Sequence, residues 1–537
     1  MSWSGTRRRL LTLAALGTAS LLRRKVPGAE AQGPLVTGFR IDNGAQPFAG
    51  DSSLLTTLRG GSNGMLARLR FSLREASDVT LEVLQTGQGV ASERPVTVGQ
   101  SAVSELKTVL AAGSHELEWS PGATLPARTY ILLMTAQAKR AGARPVASKA
   151  VVRLLGIDAG FAVRSVTPGE TTPLVIRAAA GRLTLQMLRS GGENEPTYAN
   201  GEIKGVPVGA PLTVQWAPNR NQSATMEVPI GTDWASGVYA AQLAANDGRL
   251  GFAPVIVRPV APTQRVAVVM PTTTWQAYNF YDSDGDGWGD TWYARWKTHT
   301  VDLLRPHAGR GVPYRYRSYD LSFQHWLAQT GKAVDTYADE DLELFATPEA
   351  LRAAYDLLVF PGHTEYVTQL VYDLVSGFRD LGGNLIFLSA NNFFRRVDRQ
   401  GQQLTLIDEW RDLGRPEAAL LGVQYIAGDR GERHAPFTIV GAAANPWAFD
   451  GTGLTDGGQF GLYGIEIDAR APSSPSGVQV LATIPDLFGA GKSAEMTYYE
   501  HASGAKVFSA GALNFGGQVL LWPQTARLLE NVWQRCA

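Results

Sequence analysis

Read for the spacing of apolar and polar positions, the chain changes period as it runs. From residue 35 to 155 short runs alternate, "ARLRFSL", "DVTLEVL", "SHELEWS" and "ARTYILLMTA", each bounded by Gly, Pro, Ser or Asp. A period of two sets one face of each run on a core, which predicts an antiparallel β-sandwich. From 156 to 260 the alternation continues in "TPLVIRA", "RLTLQML", "LTVQWAP", "SGVYAAQLAAN" and "LGFAPVIVRP". "GVYAAQLAAN" repeats the rhythm of "RTYILLMTAQ", an aromatic and then alternating small and apolar residues. The repeat predicts a second sandwich in series, not a solenoid. Trp119 and Tyr130 read as core packing. Pro259 and Pro262 punctuate the exit and place a boundary near 261.

Beyond 261 continuous apolar runs take over. "RVAVVM", "KAVDTYA", "YDLLVF" and "NLIFLSA" read as strands, the first of the kind buried on both faces. Between them lie helical patterns. "LSFQHWLAQTG" puts Phe323, Trp326 and Leu327 on one face, Trp275 upstream reads as core, and His325 falls on the exposed side. "TPEALRAA" starts with Thr347 as cap and Pro348 in the first turn. "TQLVYDLVSGFRDLGG" spaces Leu370, Val371, Leu374, Val375, Phe378 and Leu381 at helical intervals. Alternating strands and helices predict an open parallel α/β sheet over 261–537, following the sandwiches at 35–155 and 156–260.

The first 31 residues change the picture of where the chain works. Arg7, Arg8 and Arg9 precede an apolar run from Leu10 to Leu22, followed by Arg23, Arg24, Lys25 and then Ala29-Glu30-Ala31. The run is too short for a bilayer span, and Ala-x-Ala suits signal peptidase. The segment resembles a twin-arginine export signal, with cleavage expected near Ala31, no membrane span afterwards, and a periplasmic or extracellular destination. Downstream, "LAAGSHELEWSPGATLPARTYILLMTA" resembles the Ig-like module of flagellar hook-capping proteins. Lys+Arg and Asp+Glu both total 49 in 537 residues, so nothing favours nucleic acid as a partner. The one cysteine, Cys536, excludes intramolecular disulfides.

Ligands of an open parallel sheet gather outside the carboxyl ends of its strands. Three such ends carry polar or aromatic loops. The first is "PTTTWQAYNFYDSDGDGWGD", with Tyr278. The second is "PGHTEYVT", with His363, Glu365 and Tyr366. The third is "NNFFRRV", with Asn391, Asn392 and Arg395. Topology should bring these loops to one rim. Neither a Gly-x-Ser-x-Gly elbow nor a phosphate loop nor a His-Glu-x-x-His motif is present. Hard oxygen and imidazole ligands for a metal remain. Asp282, Asp284 and Asp286, then Gly287 and Asp290, open like a calcium loop, but Tyr293 stands where a bidentate glutamate would close it. The alternatives are a calcium loop completed by another segment, of structural role, and an Asp-Gly turn with solvated charge.

"TTTWQAYN", "LLVFPGHTEY", "GGNLIFLSANNFFRRV", "GIEID" and "SGAKVFSAGALNFG" follow one another in an order that resembles the large (beta) subunit of N,N-dimethylformamidase, over about 160–535. The resemblance implies a sandwich joined to an α/β domain of the flavodoxin/glutamine-amidotransferase-like kind. It also implies hydrolysis of a small amide at an iron held by two tyrosines and a glutamate. Tyr366 matches one tyrosine; Tyr319 or Tyr278 would be the second, and Glu466 the carboxylate. His363 and Glu365 would move protons, with Asn391 beside them, and a small second subunit or self-association fits that family. The competing expectation is a non-catalytic cell-envelope or glycan-binding protein whose Trp275, Trp288, Trp292 and Trp296 stack sugars.

Overall fold

A computed structural model describes residues 33–59, 65–87, 100–122, 124–194, 201–294, 298–429 and 431–537. The export segment at 1–31 and Trp296 lie outside the described residues.

The alternating runs of the first unit form two sheets around one core. One has three strands, Val36–Asp42, Ala67–Leu73 and Gly113–Trp119. The other has five, in the order Leu55–Arg59, Val146–Leu155, Arg128–Ala138, Ser77–Thr86 and Gln100–Leu110. "ARLRFSL" buries every second residue, Ala67, Leu69, Phe71 and Leu73, against Val79, Leu81, Leu132 and Met134 of the facing sheet. The second unit repeats the plan. Ile157–Phe161, Thr171–Ala178 and Ser223–Pro229 cover a five-stranded sheet that includes Arg182–Arg189, Gly237–Ala245 and Leu250–Val257. The shared rhythm has a shared cause. The Tyr130 hydroxyl donates to the Pro126 carbonyl at 2.9 Å, and the Tyr239 hydroxyl to the Ala235 carbonyl at 2.7 Å. In both units a core tyrosine thus fixes the entry to a central strand four residues upstream.

The parallel α/β domain expected over 261–537 is not what the chain builds. Its largest sheet has nine strands, and only one side of it runs parallel: Asp335–Ala338, Val266–Met270, Leu357–Phe360, Asn384–Phe387 and Lys506–Ser509. The sheet then continues antiparallel through Ala494–Glu500, Gln479–Ile484, His434–Ile439 and Gln459–Gly464. A four-stranded and a two-stranded sheet are added beside it. Across the protein, strand at 41% far exceeds helix at 15%, so the flavodoxin-like description is withdrawn in favour of a β-rich, sandwich-like one. The physical reason lies after residue 390, where strands follow one another through short turns instead of crossover helices. Arg395–Gln400 and Gln403–Glu409 are joined at Gly401, whose φ of +56° suits a two-residue hairpin turn. Chains linked by tight turns pair antiparallel; parallel pairing needs long crossovers.

The Val266–Met270 strand is buried along its whole length because both faces are covered. Ala267 and Val269 pack toward the helices Pro348–Ala354 and Gln369–Asp380. Thr347 and Thr368 cap these through hydroxyls that accept from Ala350 and Val371 N–H at 3.3 Å. Val266, Val268 and Met270 pack toward Phe323 and Trp326, the C-terminal helix Pro523–Cys536, and Val238 and Phe252 of the second sandwich. His325, expected on the exposed side of its helix, is buried. Its Nε2 lies 2.9 Å from Glu193 of the second sandwich, so the helix face read as solvent is an interface. Among the described residues no helix is long and apolar enough to cross a membrane.

Candidate active site

Three segments distant in sequence are tied together where the strands end. Past Val266–Met270 comes the short helix Thr272–Ala277, started from outside by Asp339. That carboxylate accepts the Thr272 hydroxyl at 2.7 Å and the Thr273 N–H at 3.1 Å. Thr274 looks the other way and accepts the Glu365 N–H at 3.1 Å, stitching the helix to the loop after Leu357–Phe360. That loop has no room for a side chain at Gly362, where a Cβ would meet an Asp320 carboxyl oxygen at 1.9 Å. The third segment is Ala390–Phe393. Asn391 holds a φ of +55°, its N–H donates to Asp468 at 2.8 Å, and its amide donates to Glu466 at 2.9 Å. Ile465, a β-branched residue at φ +70°, presents Glu466. Left-handed backbone at such residues is a cost that the surrounding structure must hold in place.

The side chains so placed converge. Tyr278 donates to Glu365 Oε2 at 2.6 Å, and the Tyr293 hydroxyl lies 3.4 Å from the same oxygen. Tyr293 also shares a short hydroxyl–hydroxyl hydrogen bond with Tyr366, whose oxygen accepts from Trp292 Nε1 at 3.2 Å. His363 Nε2 lies between two carboxylates, 3.4 Å from Glu365 and 3.5 Å from Glu466. The rings of Tyr278 and Tyr293 stack at 4.3 Å, and Tyr278 lies parallel to Tyr314 at 5.5 Å.

Burial sets the protonation of this cluster. It pushes the Glu365 carboxyl up to about 7 against the Tyr278 hydrogen bond. Burial, and after it the charge of Glu365, pushes Glu466 up to about 8. His363 is driven down to about 3 by burial, so its imidazole is neutral at physiological pH. Burial and the neighbouring carboxylate hold Tyr278, Tyr293 and Tyr366 well above the usual phenol range. Carboxyl groups poised near neutrality next to a neutral imidazole can give and take protons.

Of the residues singled out from sequence, Tyr278, His363, Glu365, Tyr366, Asn391 and Glu466 are brought together. His363 and Glu365 do not cap the helix that follows them, since Thr368 does. Tyr319 stands edge-on to His363 at 6.3 Å, and its hydroxyl accepts from Arg315 Nη1 at 3.0 Å. Arg395 pairs with Glu409 at 3.3 Å. Tyr293 was missed: read only as the wrong residue to close a calcium loop, it is the other end of a hoop that returns to Tyr278. The signal was the pair of tyrosines bracketing that loop. Asp320 was missed as well; one oxygen accepts Trp275 Nε1 at 3.2 Å, and burial pushes its carboxyl up to about 8. Trp275, Trp288 and Trp292 are 5%, 5% and 1% exposed, which removes them from any sugar-stacking surface.

The acidic loop itself docks on the first sandwich. Asp282 accepts the Thr129 hydroxyl at 2.6 Å and the N–H groups of Gly285 and Gly287 at 2.7 and 2.8 Å. Gly285 and Gly287 have φ of +74° and +93°, and a Cβ would strike Leu55 and Ile131 at 2.5 and 2.3 Å. Asp282, Asp284 and Asp290 offer oxygens within 4.8 Å of one another, whereas Asp286 stands outside that group and accepts the Trp288 N–H at 2.8 Å. Asp282→Ala is predicted to cost about 2–4 kcal/mol, because it strands two buried N–H groups and a hydroxyl. Urea unfolding measures this, and an unchanged midpoint would remove Asp282 as the docking point.

The fold and site together define a class: a β-rich protein of sandwich units around a mixed sheet, with tyrosine, carboxylate and histidine groups converging at the strand ends. Residues 210–525, more than half of the chain, match the family described as N,N-dimethylformamidase beta subunit-like, C-terminal, and the chain belongs to that family. The first sandwich lies outside the matched stretch. No curated protein matches the chain at a significant level. Among solved structures, trypsin-activated alpha-2-macroglobulin from Escherichia coli is 11% identical over 37% of this chain and 16% of its own, with a TM-score of 0.23. Salmonella alpha-2-macroglobulin reacted with methylamine is 8% identical over 42% and 16%, at 0.23. Red sea bream transglutaminase is 10% identical over 42% and 31%, at 0.18. The chain thus spans less than a third of each of these proteins, and scores this low carry no argument about fold or function.

Proposed function

We propose that this protein hydrolyses an amide C–N bond with the help of a bound iron ion, and that it does so outside the cytoplasm. The observation that carries the reading is the convergence of three phenols, two carboxyls and His363, in a chain of the dimethylformamidase-like family. The donor set fits the implied metal. Phenol and carboxyl oxygens are hard ligands, and the buried Nε2 of His363 has no hydrogen-bond partner. Iron would be held by Tyr366 with Tyr278, Tyr293 or Tyr319, and by Glu466; there it would polarise a carbonyl and acidify water.

The protein's own residues supply the proton chemistry. As the water oxygen bonds to the carbonyl carbon, its proton passes to Glu365. The C–N bond breaks as the amine leaves with that proton, relayed from Glu365 by His363, whose neutral Nε2 lies 3.4 Å from the carboxyl, and the acyl group departs as the acid. The Asn391 amide holds Glu466, the carboxyl left to the metal, at 2.9 Å.

Export is supported by the basic–apolar–basic leader, and cell fractionation tests it. The Asp282, Asp284 and Asp290 cluster would suit a structural calcium ion; a melting temperature that falls on chelation and recovers with calcium is the expected result. For the central reading the purified protein is assayed for metal and for amine released from N,N-dimethylformamide and a panel of N-acyl amines. Near-stoichiometric iron with amine release is expected. Iron-free protein that releases no amine from any member overturns the proposal.

A further inference from the structure

We infer that the amide taken by this site carries an anionic group, and that the first sandwich helps to recognise it through Arg128. The inference rests on the hydrolase reading and deepens it. A cavity of about 1110 Å³ opens where the two sandwiches and the C-terminal unit meet, and Tyr278, Tyr314 and Arg315 form its inner wall. Those residues also border the candidate site. Tyr278 reaches Glu365, Tyr314 stacks on Tyr278, and Arg315 donates to Tyr319 beside His363. The cavity is therefore the approach to the site.

Its size and charge both argue against a bare dialkylformamide as the only occupant. The volume lies just above what drug-sized ligands fill. Six arginines line it against four carboxyl groups. Those four are engaged. Asp247 pairs with Arg249 at 2.9 Å and Glu202 lies 4.0 Å from Arg310. Asp158 accepts the Tyr281 hydroxyl at 2.8 Å, and Asp282 serves Thr129 and its own loop. Burial pushes the Asp158 carboxyl up, which further thins the negative charge.

Arg128 is a cation of this wall without a carboxylate bound to it. Its guanidinium donates to the Thr86 carbonyl and hydroxyl, its Nε has no partner, and no carboxylate pairs with it among the described residues. A half-buried guanidinium facing a cavity in this way is a ready fork for a carboxylate or phosphate. Arg128 belongs to the sandwich that lies outside the family match, and the Asp282 loop is what clamps that sandwich against the site.

The test uses the intact purified protein and two probes of similar size, N-acetylglutamate and the neutral N-acetylglutaminamide, with binding read by calorimetry and turnover by amine release. N-acetylglutamate is expected to bind about tenfold more tightly, the worth of one charge-assisted hydrogen bond, and to lose that margin in high salt. Arg128→Gln is expected to erase the margin and Arg128→Lys to keep part of it, which separates lost charge from a disturbed fold. Equal binding of the two probes, or a margin untouched by Arg128→Gln, overturns the inference. Preference without turnover of either probe, in protein that releases no amine from the wider amide panel, upholds the anion site and overturns the hydrolase reading, whereas turnover without preference does the reverse.

Discussion

Tyr366→Phe is expected to lower amide hydrolysis by about 10²–10³-fold, the scale on which removal of one site group acts on a transition state, and to strip most of the iron. The argument starts from where the ring sits. Tyr366 is 1% exposed and packs among Ala277, Trp292, Val301, Val397 and Leu404, so phenylalanine keeps every apolar contact. Only the hydroxyl goes. It is the oxygen that meets Tyr293 and accepts from Trp292, and one of the phenols available to a metal. The stability cost is that of an unmade buried hydrogen bond, about 1–2 kcal/mol, too little to unfold the protein. Kinetics, metal analysis and thermal melting on one preparation separate the two effects. Wild-type turnover and iron content in the variant would sink the proposed role, whereas a large fall in melting temperature would mean the hydroxyl serves packing instead.

The sequence made the local parts readable and left the long-range ones hidden. Alternation in "ARLRFSL" and helical spacing in "TQLVYDLVSGFRDLGG" come from which face must be buried, and burial is decided within a few residues. Thr347 and Thr368 announce their helices by the same local logic. What followed residue 390 was not readable by extrapolation, because a chain can leave a parallel sheet and add strands by hairpins at any turn, as it does at Gly401. The meeting of Tyr278 with Tyr293 needed the loop between them to fold back, and that depends on Asp282 finding Thr129, 153 residues earlier. His325 looked exposed because the partner that buries it, Glu193, belongs to a different unit. The tryptophans of the rim carry no mark in their own neighbourhood that says which surface they will lose.

The metal-free protein is predicted to lose stability as pH rises from about 4.5 to about 8, the span between the ordinary and the folded-state ionisation of two buried carboxyls. Glu365 is raised to about 7 and Glu466 to about 8, each by burial first. A carboxyl raised on folding holds its proton longer in the folded chain than in the unfolded one. Over that window the folded state therefore binds more protons, and stability must fall with rising pH; below it both states are protonated and above it both are ionised. Glu466→Gln removes the more strongly raised group and the repulsion it exerts on Glu365, while the amide can still hydrogen-bond within the cluster. It is expected to gain about 2–4 kcal/mol at pH 8 over the wild type and nothing at pH 4.5, a discounted reading of a shift of this size. Urea unfolding at several pH values on chelated protein measures both curves. A cation restored beside the same oxygens would favour their ionisation, so iron should flatten the wild-type slope and leave that of the variant nearly unchanged. A wild-type profile that is flat from pH 5 to 8, or a variant that falls just as steeply, would mean that these carboxyls are solvated and that the cluster is not the dry, charge-poised site on which the hydrolytic reading depends.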